Sequence, residues 1–355
     1  MKKNVRTFLV VLMVFAMVAV VVAGCAPAPT STSTTAPAKP KLKTAMVTDV
    51  GGLGDKSFND LSYAGLKRAE KDFGVQIKVL ESKEQADYER NLTNLAQAGY
   101  SPIFAVGFLM TDAVSKVSTG FPKTQFGGID EFFDKAPANA AGLVFKEQEA
   151  SYLAGVLAGL AVKDTTIDPK IKNNNTIGFV GGLDVPVIER FRAGFVQGVK
   201  SVNPDAKIIA VYAGSFNDQA KGKELGLSLI NQGASIIFPV AGATGLGTIQ
   251  AAKEKGALII GVDQDQFLSV PDAADIMLTS VVKRVDEAVY QTIKNELDGK
   301  FAGGTNTAFG LKEGGVALAP YHNFDSKVPQ SIKDKVDAAK KDIIDGKVTV
   351  KDSLK

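Results

Sequence analysis

From Lys43 onward, short apolar runs recur between amphipathic segments of helical period, and this alternation constrains the chain more than any other feature. Thr44 to Thr48, Val75 to Leu80, Pro102 to Val106 and Thr124 to Ile129 read as buried strands. Between them, Ser57 to Phe73, Asp87 to Ala98 and Met110 to Ser118 have helical spacing, with Ser57 as the expected N-cap and Gly99 as a stop. The rhythm then starts afresh. Helices Lys146 to Val162, Val185 to Ser201, Gln219 to Gln232 and Gly245 to Lys255 alternate with strands Thr176 to Val180, Lys207 to Tyr212, Ile236 to Val240 and Leu258 to Val262. Strand, helix, strand at this spacing means right-handed crossovers and a parallel sheet. A chain of 355 residues is long for one core, so the expectation is an α/β protein of two doubly wound lobes.

The tail complicates a simple division. Arg284 to Leu297 and Ser331 to Asp345 read as helices, and Thr307 to Leu311 and Gly315 to Leu318 as strands. Sharing them between the lobes places residues 43–146 and about 280–312 in lobe I, and residues 147–279 and about 313–355 in lobe II. Several crossings make a hinge rather than a linker.

Ahead of the first strand the chain changes character. Lys2, Lys3 and Arg6 precede an almost wholly apolar run from Thr7 to Val22, and small residues lead to Cys25, the only cysteine. This is the layout of a secretory signal peptide over residues 1–24. About 16 to 18 apolar residues lie at the short edge of what spans a bilayer. The Val22-Ala23-Gly24-Cys25 segment resembles a bacterial lipoprotein signal, which implies cleavage before Cys25, lipidation of its thiol and anchoring at the extracytoplasmic face of the cell membrane. Residues 25–42 are rich in Pro, Ala, Ser and Thr, too polar to fold, and read as a disordered tether.

Charge and composition exclude several classes of function. Lys2, Lys3 and Arg6 account for the whole formal charge of +3, so the segment after residue 24 is balanced and no nucleic-acid partner is expected. One histidine, His322, and no cysteine beyond Cys25 leave no disulfide and argue against zinc and histidine-based catalysis. Gly51-Gly52 and Gly181-Gly182 lack the full spacing of a phosphate cradle. No metal or cofactor is expected.

In open α/β sheets, ligands bind outside the carboxyl ends of the strands. That rule selects Asp49 with Phe58 and Asn59, Gly107 with Phe108, Asp130, the segment Gly181 to Asp184 with Phe191, Ala241-Gly242 and Asp263. Carboxylates accept from hydroxyls and N–H groups, and phenylalanine faces take a flat ring. A ligand with a flat ring and a sugar satisfies both. Each residue also has a plainer reading: either phenylalanine belongs in a core, and Asp49 or Asp263 caps the helix that follows it.

Four blocks carry a family resemblance: Thr48 to Gly52, Asp55 to Asn59, Gly178 to Gly182 and Arg190 to Phe195. They resemble the signature blocks of the basic membrane protein family, lipoproteins similar to purine nucleoside receptor A that serve ABC-type importers. The resemblance extends over Lys43 to Lys355 and implies the type I periplasmic-binding fold. It further implies that Phe58 and Phe191 sandwich a nucleobase, that Asp130 reads base N–H groups, and that Asp49 and Asp263 accept from ribose hydroxyls. Asn59 and Lys283 assist, and Gly242 offers backbone. Lys283 has a second role open to it, as the cation that keeps three carboxylates ionised in one cleft. The implied partners are a nucleoside of the adenosine, guanosine or inosine class, a permease, and a membrane through the lipid, with the protein a monomer. Three other readings stay open: a nucleoside hydrolase, a sensor that signals by the same closure, and a receptor for another sugar or an autoinducer.

Overall fold

The computed structural model describes residues 41–172 and 174–354. The expected signal peptide, Cys25 with its lipid, and the tether up to residue 40 lie outside the described residues. The chain begins β1 (Lys43–Thr48), α1 (Phe58–Phe73), β2 (Gln76–Leu80), α2 (Asp87–Gln97), β3 (Ile103–Val106), α3 (Thr111–Gly120), β4 (Phe126–Ile129) and β5 (Ala140–Phe145). It continues α4 (Glu147–Ala161), β6 (Thr176–Gly181), α5 (Pro186–Val202), β7 (Lys207–Tyr212), α6 (Gln219–Asn231), β8 (Ile236–Val240), α7 (Ala243–Lys255), β9 (Leu258–Asp263) and α8 (Gln266–Ser269). It closes with β10 (Met277–Lys283), α9 (Val285–Leu297), β11 (Thr305–Phe309), β12 (Val316–Leu318) and α10 (Gln330–Ile344).

Two six-stranded sheets result, ordered β11-β5-β4-β3-β1-β2 and β12-β10-β9-β8-β6-β7. All pairings are parallel except β10 with β12. The central strands are apolar throughout because helices cover both faces. In β1, Met46 joins a cluster with Leu66 and Phe104, while Ala45 and Val47 point the other way against Leu92 and Val114.

The chain crosses between sheets three times, at Lys146, at Arg284 and between Phe309 and Val316. The crossings lie side by side and are bonded: Lys146 N–H donates to the Phe309 carbonyl at 3.0 Å, and Arg284 N–H to that of Gly315 at 2.8 Å. The second falls at Arg284 rather than near 280, because β10 stays paired with β9 and β12 as far as its last residues. Leu42, assigned to the tether by composition, is already ordered, its carbonyl accepting Gln76 N–H at 2.8 Å.

Strands β5 and β10 were absent from the sequence expectation. Residues 130–139 join β4 to β5 without a helix, so the alternating rhythm gives no cue there. In β10, Thr279, Ser280 and Lys283 interrupt an apolar run, yet each is satisfied: Thr279 donates to the Ala319 carbonyl, Ser280 accepts Gln266 N–H, and Lys283 is ion-paired.

Helices α4 and α5 pack backbone against backbone. A methyl group at Gly194 would lie 2.1 Å from the Gln148 carbonyl oxygen, and at Gly198 2.0 Å from that of Tyr152, so only glycine permits the approach. This seats Arg190 of α5 against Glu147 at the start of α4, with Nε to Oε2 at 2.7 Å.

Candidate functional site

The chain leaves β1 for β2 on one side and then β3 on the other, so a crevice opens at the carboxyl ends of β1 and β3. The order β8-β6-β7 repeats the arrangement in lobe II. Asp49, Phe58, Asn59, Gly107, Asp130, Phe191, Gly242, Asp263 and Lys283, the nine residues expected at a site, all line one cavity between these crevices. Its empty volume is about 630 Å³, counting the part open to solvent. The segment Gly181 to Asp184, selected by the same rule, does not line it.

The lobe I wall is polar and tightly tied. Asp49 Oδ1 accepts Gly51 N–H at 2.8 Å and Asn59 Nδ2 at 2.9 Å, so it caps no helix. Gly107, at φ +130°, lets β3 pass beside Asp49, where a side chain would lie 3.1 Å from Asp49 Cβ. Ser57 holds the N-cap position as expected, but its hydroxyl makes no cap bond and donates instead to the Asp263 carboxylate. Asp55 does the capping: its oxygens accept the N–H groups of Ser57, Asn59 and Asp60 at 3.0, 2.8 and 3.1 Å. The turn that carries Phe58 and Asn59 is thereby held by a residue that the strand-end rule does not select, although it lies in the Asp55 to Asn59 block.

The lobe II wall is largely apolar, built from Val185, Val187, Ile188, Phe191, Phe216 and Val240. Phe191 turns an edge to Phe238 at 6.2 Å, anchoring it to the core. Gly182 makes room for Phe216, because a side chain there would lie 2.3 Å from the Phe216 ring. The glycine pair thus seats an aromatic ring. Phe216 follows β7, where the strand-end rule would have found it.

Charge is concentrated where the walls meet. Lys283 Nζ lies 2.5 Å from Asp130 Oδ2, 2.8 Å from Glu147 Oε1, and 5.1 and 5.5 Å from the ring centroids of Phe58 and Phe191. Burial alone would strip its proton, but Asp130, Glu147 and Asp263 outweigh burial and hold its pKa above the ordinary value. Burial likewise pushes Glu147 up, and Lys283 and Arg190 more than reverse it. At Asp130 burial wins over Lys283 and the pKa stays raised, so of the two carboxylates that share Lys283 only Glu147 is fully compensated. Asp49 and Asp263 make no ion pair among the described residues: burial pushes them up to about 6 and about 7, against hydrogen bonds from Asn59 and Gly51 to the first and the charge of Lys283 and the Ser57 hydrogen bond on the second.

Asp130 and Asp263 occupy matching places, at the carboxyl ends of β4 and β9, and both hold left-handed backbone, at φ +64° and +63°. Such a conformation in a residue other than glycine costs on the order of 1 kcal/mol. Within the cavity wall, Asn59 Oδ1 and Asp130 Oδ1 are buried with no hydrogen-bond partner among the described residues. Both are acceptors suited to a donor brought in from outside.

Two doubly wound lobes facing a mixed polar and aromatic cavity define a solute-binding protein rather than an enzyme. The chain belongs to the family of PnrA-like ABC transporter substrate-binding proteins, whose model matches residues 42–353. It is 37% identical over 330 residues to the ABC transporter nucleoside-binding protein BmpA of Lactococcus lactis subsp. cremoris, across 88% of this chain and 90% of that one. It is 38% identical over 288 residues to an uncharacterized lipoprotein of Pyrococcus abyssi, across 78% of this chain and 68% of that one. An ABC transporter solute-binding protein from Aeropyrum pernix K1 has the same fold, with a TM-score of 0.80, 28% identity, and coverage of 88% of this chain and 94% of that one.

Proposed function

We propose that the protein captures purine nucleosides between its lobes and delivers them to the permease of an ABC importer, held at the extracytoplasmic face of the membrane by lipid on Cys25. The observation that carries this reading is one cavity in which Phe58 and Phe191 come from opposite walls beside the unpartnered acceptors Asn59 Oδ1 and Asp130 Oδ1. Two ring faces suit a flat base, and in-plane acceptors suit its N–H groups. Asp49 and Asp263 then accept from ribose hydroxyls, with Lys283 holding Asp130 in place. The name of the Lactococcus relative supports the ligand class, and that of the Pyrococcus relative the lipid.

Ligand enters between open lobes, meets the polar wall, and draws the apolar wall over it, so differential affinity for the closed form sets the population shift. Native mass spectrometry of the purified protein is expected to show a co-purified nucleoside, and calorimetry to show tight binding of inosine, adenosine or guanosine. Binding of a free sugar with no response to any nucleoside would overturn the ligand class. Labelled palmitate is expected in the wild-type chain and absent from Cys25→Ser.

A further inference from the structure

Three side chains that do not line the cavity span the two lobes by hydrogen bonds. Ser57 Oγ donates to the Asp263 carboxylate, Gln266 Nε2 to the Lys56 carbonyl at 2.9 Å, and Asn217 Nδ2 to the Val50 carbonyl at 2.9 Å. We propose that Ser57, Gln266 and Asn217 are positioning residues that latch the lobes closed and set how long a bound ligand stays, without touching it. The proposal rests on the ligand-binding reading above.

Both ends of the latch are rigid. On lobe I, Asp55 ties down three N–H groups of the turn, and Asp60 accepts those of Gly54 and Lys56 at 2.8 and 3.1 Å. Lys56 sits in the left-handed region at φ +50°, an arrangement those bonds over-determine. On lobe II, Gln266 is buried, its backbone N–H donating to Ser280 Oγ at 3.0 Å and its Oε1 accepting Val262 N–H at 3.1 Å. Its amide nitrogen has no other partner on lobe II among these bonds and reaches across to Lys56. Groups held this firmly lose little freedom when they meet, so the Ser57 and Gln266 bonds favour closure more than ones between mobile side chains would, while Asn217 adds an exposed bond at the rim.

Position in the chain couples the latch to the site. Ser57 precedes Phe58 and Asn59, Asn217 follows Phe216, and Gln266 lies on the turn after Asp263. Phe58, Asn59, Phe216 and Asp263 line the cavity. A movement that brings these residues onto a ligand therefore also brings the latch bonds into register. Apparent affinity scales with the population of the binding-competent closed form, so a weaker latch lowers affinity for every ligand alike.

The test compares the full chain with Asn217→Ala, Ser57→Ala and their double variant. Each single change is expected to speed inosine dissociation by about 3- to 10-fold and the double by more, with association within about twofold of wild type. The ratio of affinities for inosine, adenosine and guanosine is expected to stay the same, and Ser57→Thr, which keeps the donor, to restore slow release. Small-angle scattering of the ligand-free protein is expected to show a larger radius of gyration for the double variant. Unchanged dissociation in the double variant, or an altered selectivity ratio, would overturn the latch. Should wild type bind no nucleoside, the proposed ligand fails, and an identical radius of gyration for wild type and double variant would overturn the latch on its own.

Discussion

The two walls of the cavity are built from the same fold and do different physical work. Lobe I contributes Asp49, Asp55 and Asn59, tied down by backbone N–H groups and by one another, and Asp130, held by Lys283, whereas lobe II contributes mainly Val185, Val187, Ile188, Phe191 and Phe216. A fixed polar wall confers selectivity, because a donor in the wrong place leaves a buried acceptor unpaired. An apolar wall confers closure, because its burial favours any ligand that fills the space. The exceptions, Asp263 and Lys283, are where lobe II reaches into the charge pattern of lobe I: Asp263 accepts from Ser57 and Lys283 binds Asp130.

The severest way to break this contrast is to remove the cation that the apolar lobe lends to the polar one. Lys283→Met leaves Asp130 a buried carboxylate without its ion-pair partner and Glu147 with Arg190 alone, and is expected to destabilise the protein by about 3 to 5 kcal/mol. A thermal melt checks it, and an unchanged Tm would mean that the two walls are not joined by charge.

Next in size come the two aromatic platforms, one from each wall. Phe58→Ala and Phe191→Ala are each expected to weaken inosine binding at least tenfold, or about 1.4 kcal/mol, in calorimetry. They should differ in stability. Phe191 is buried against Phe238 and its loss should also lower Tm, while Phe58 is half-buried and its loss should leave Tm nearly unchanged. Full affinity in both variants would remove stacking from the account.

A pH scan separates the carboxylates that are ion-paired, Asp130 and Glu147, from Asp49 and Asp263, which make no ion pair among the described residues. Because the pKa of Asp263 is raised from 3.8 to about 7 in the folded protein, the native state binds more protons than the unfolded chain across that interval. Stability should therefore fall as pH rises from about 4 to about 7 and level off above, with Asp49 adding to the slope up to about 6. Asp263→Asn is expected to flatten the slope by at most about 1.4 kcal/mol per pH unit. Its Tm should exceed that of wild type at pH 8 and match it near pH 4, and an identical pH profile in the two proteins would show that Asp263 is not desolvated.

Much of this is legible in the sequence. Nine residues chosen from strand ends and a family resemblance converge on one cavity, because the parallel-sheet rule converts position along the chain into position in space. What escaped has a common physical character. Asp55 acts through backbone N–H groups, Glu147 acts on Lys283 and Arg190 on Glu147, and β10 is a strand with three polar residues whose partners lie on other elements. None of these shows in local periodicity, which reports which face of an element is apolar and not what meets it.

By itself, then, the sequence determined the lobes, the strand ends and the residue types presented there, since hydrophobic period and loop chemistry are local properties of the chain. Only the tertiary structure decided the pairings. Ser57 serves Asp263 rather than its own helix, Lys283 is shared between Asp130 and Glu147, and Gly182 yields its space to Phe216. The reason is distance: each pairing joins groups carried by separate elements, and a hydrogen bond or contact between them exists only once packing brings those elements within a few ångströms.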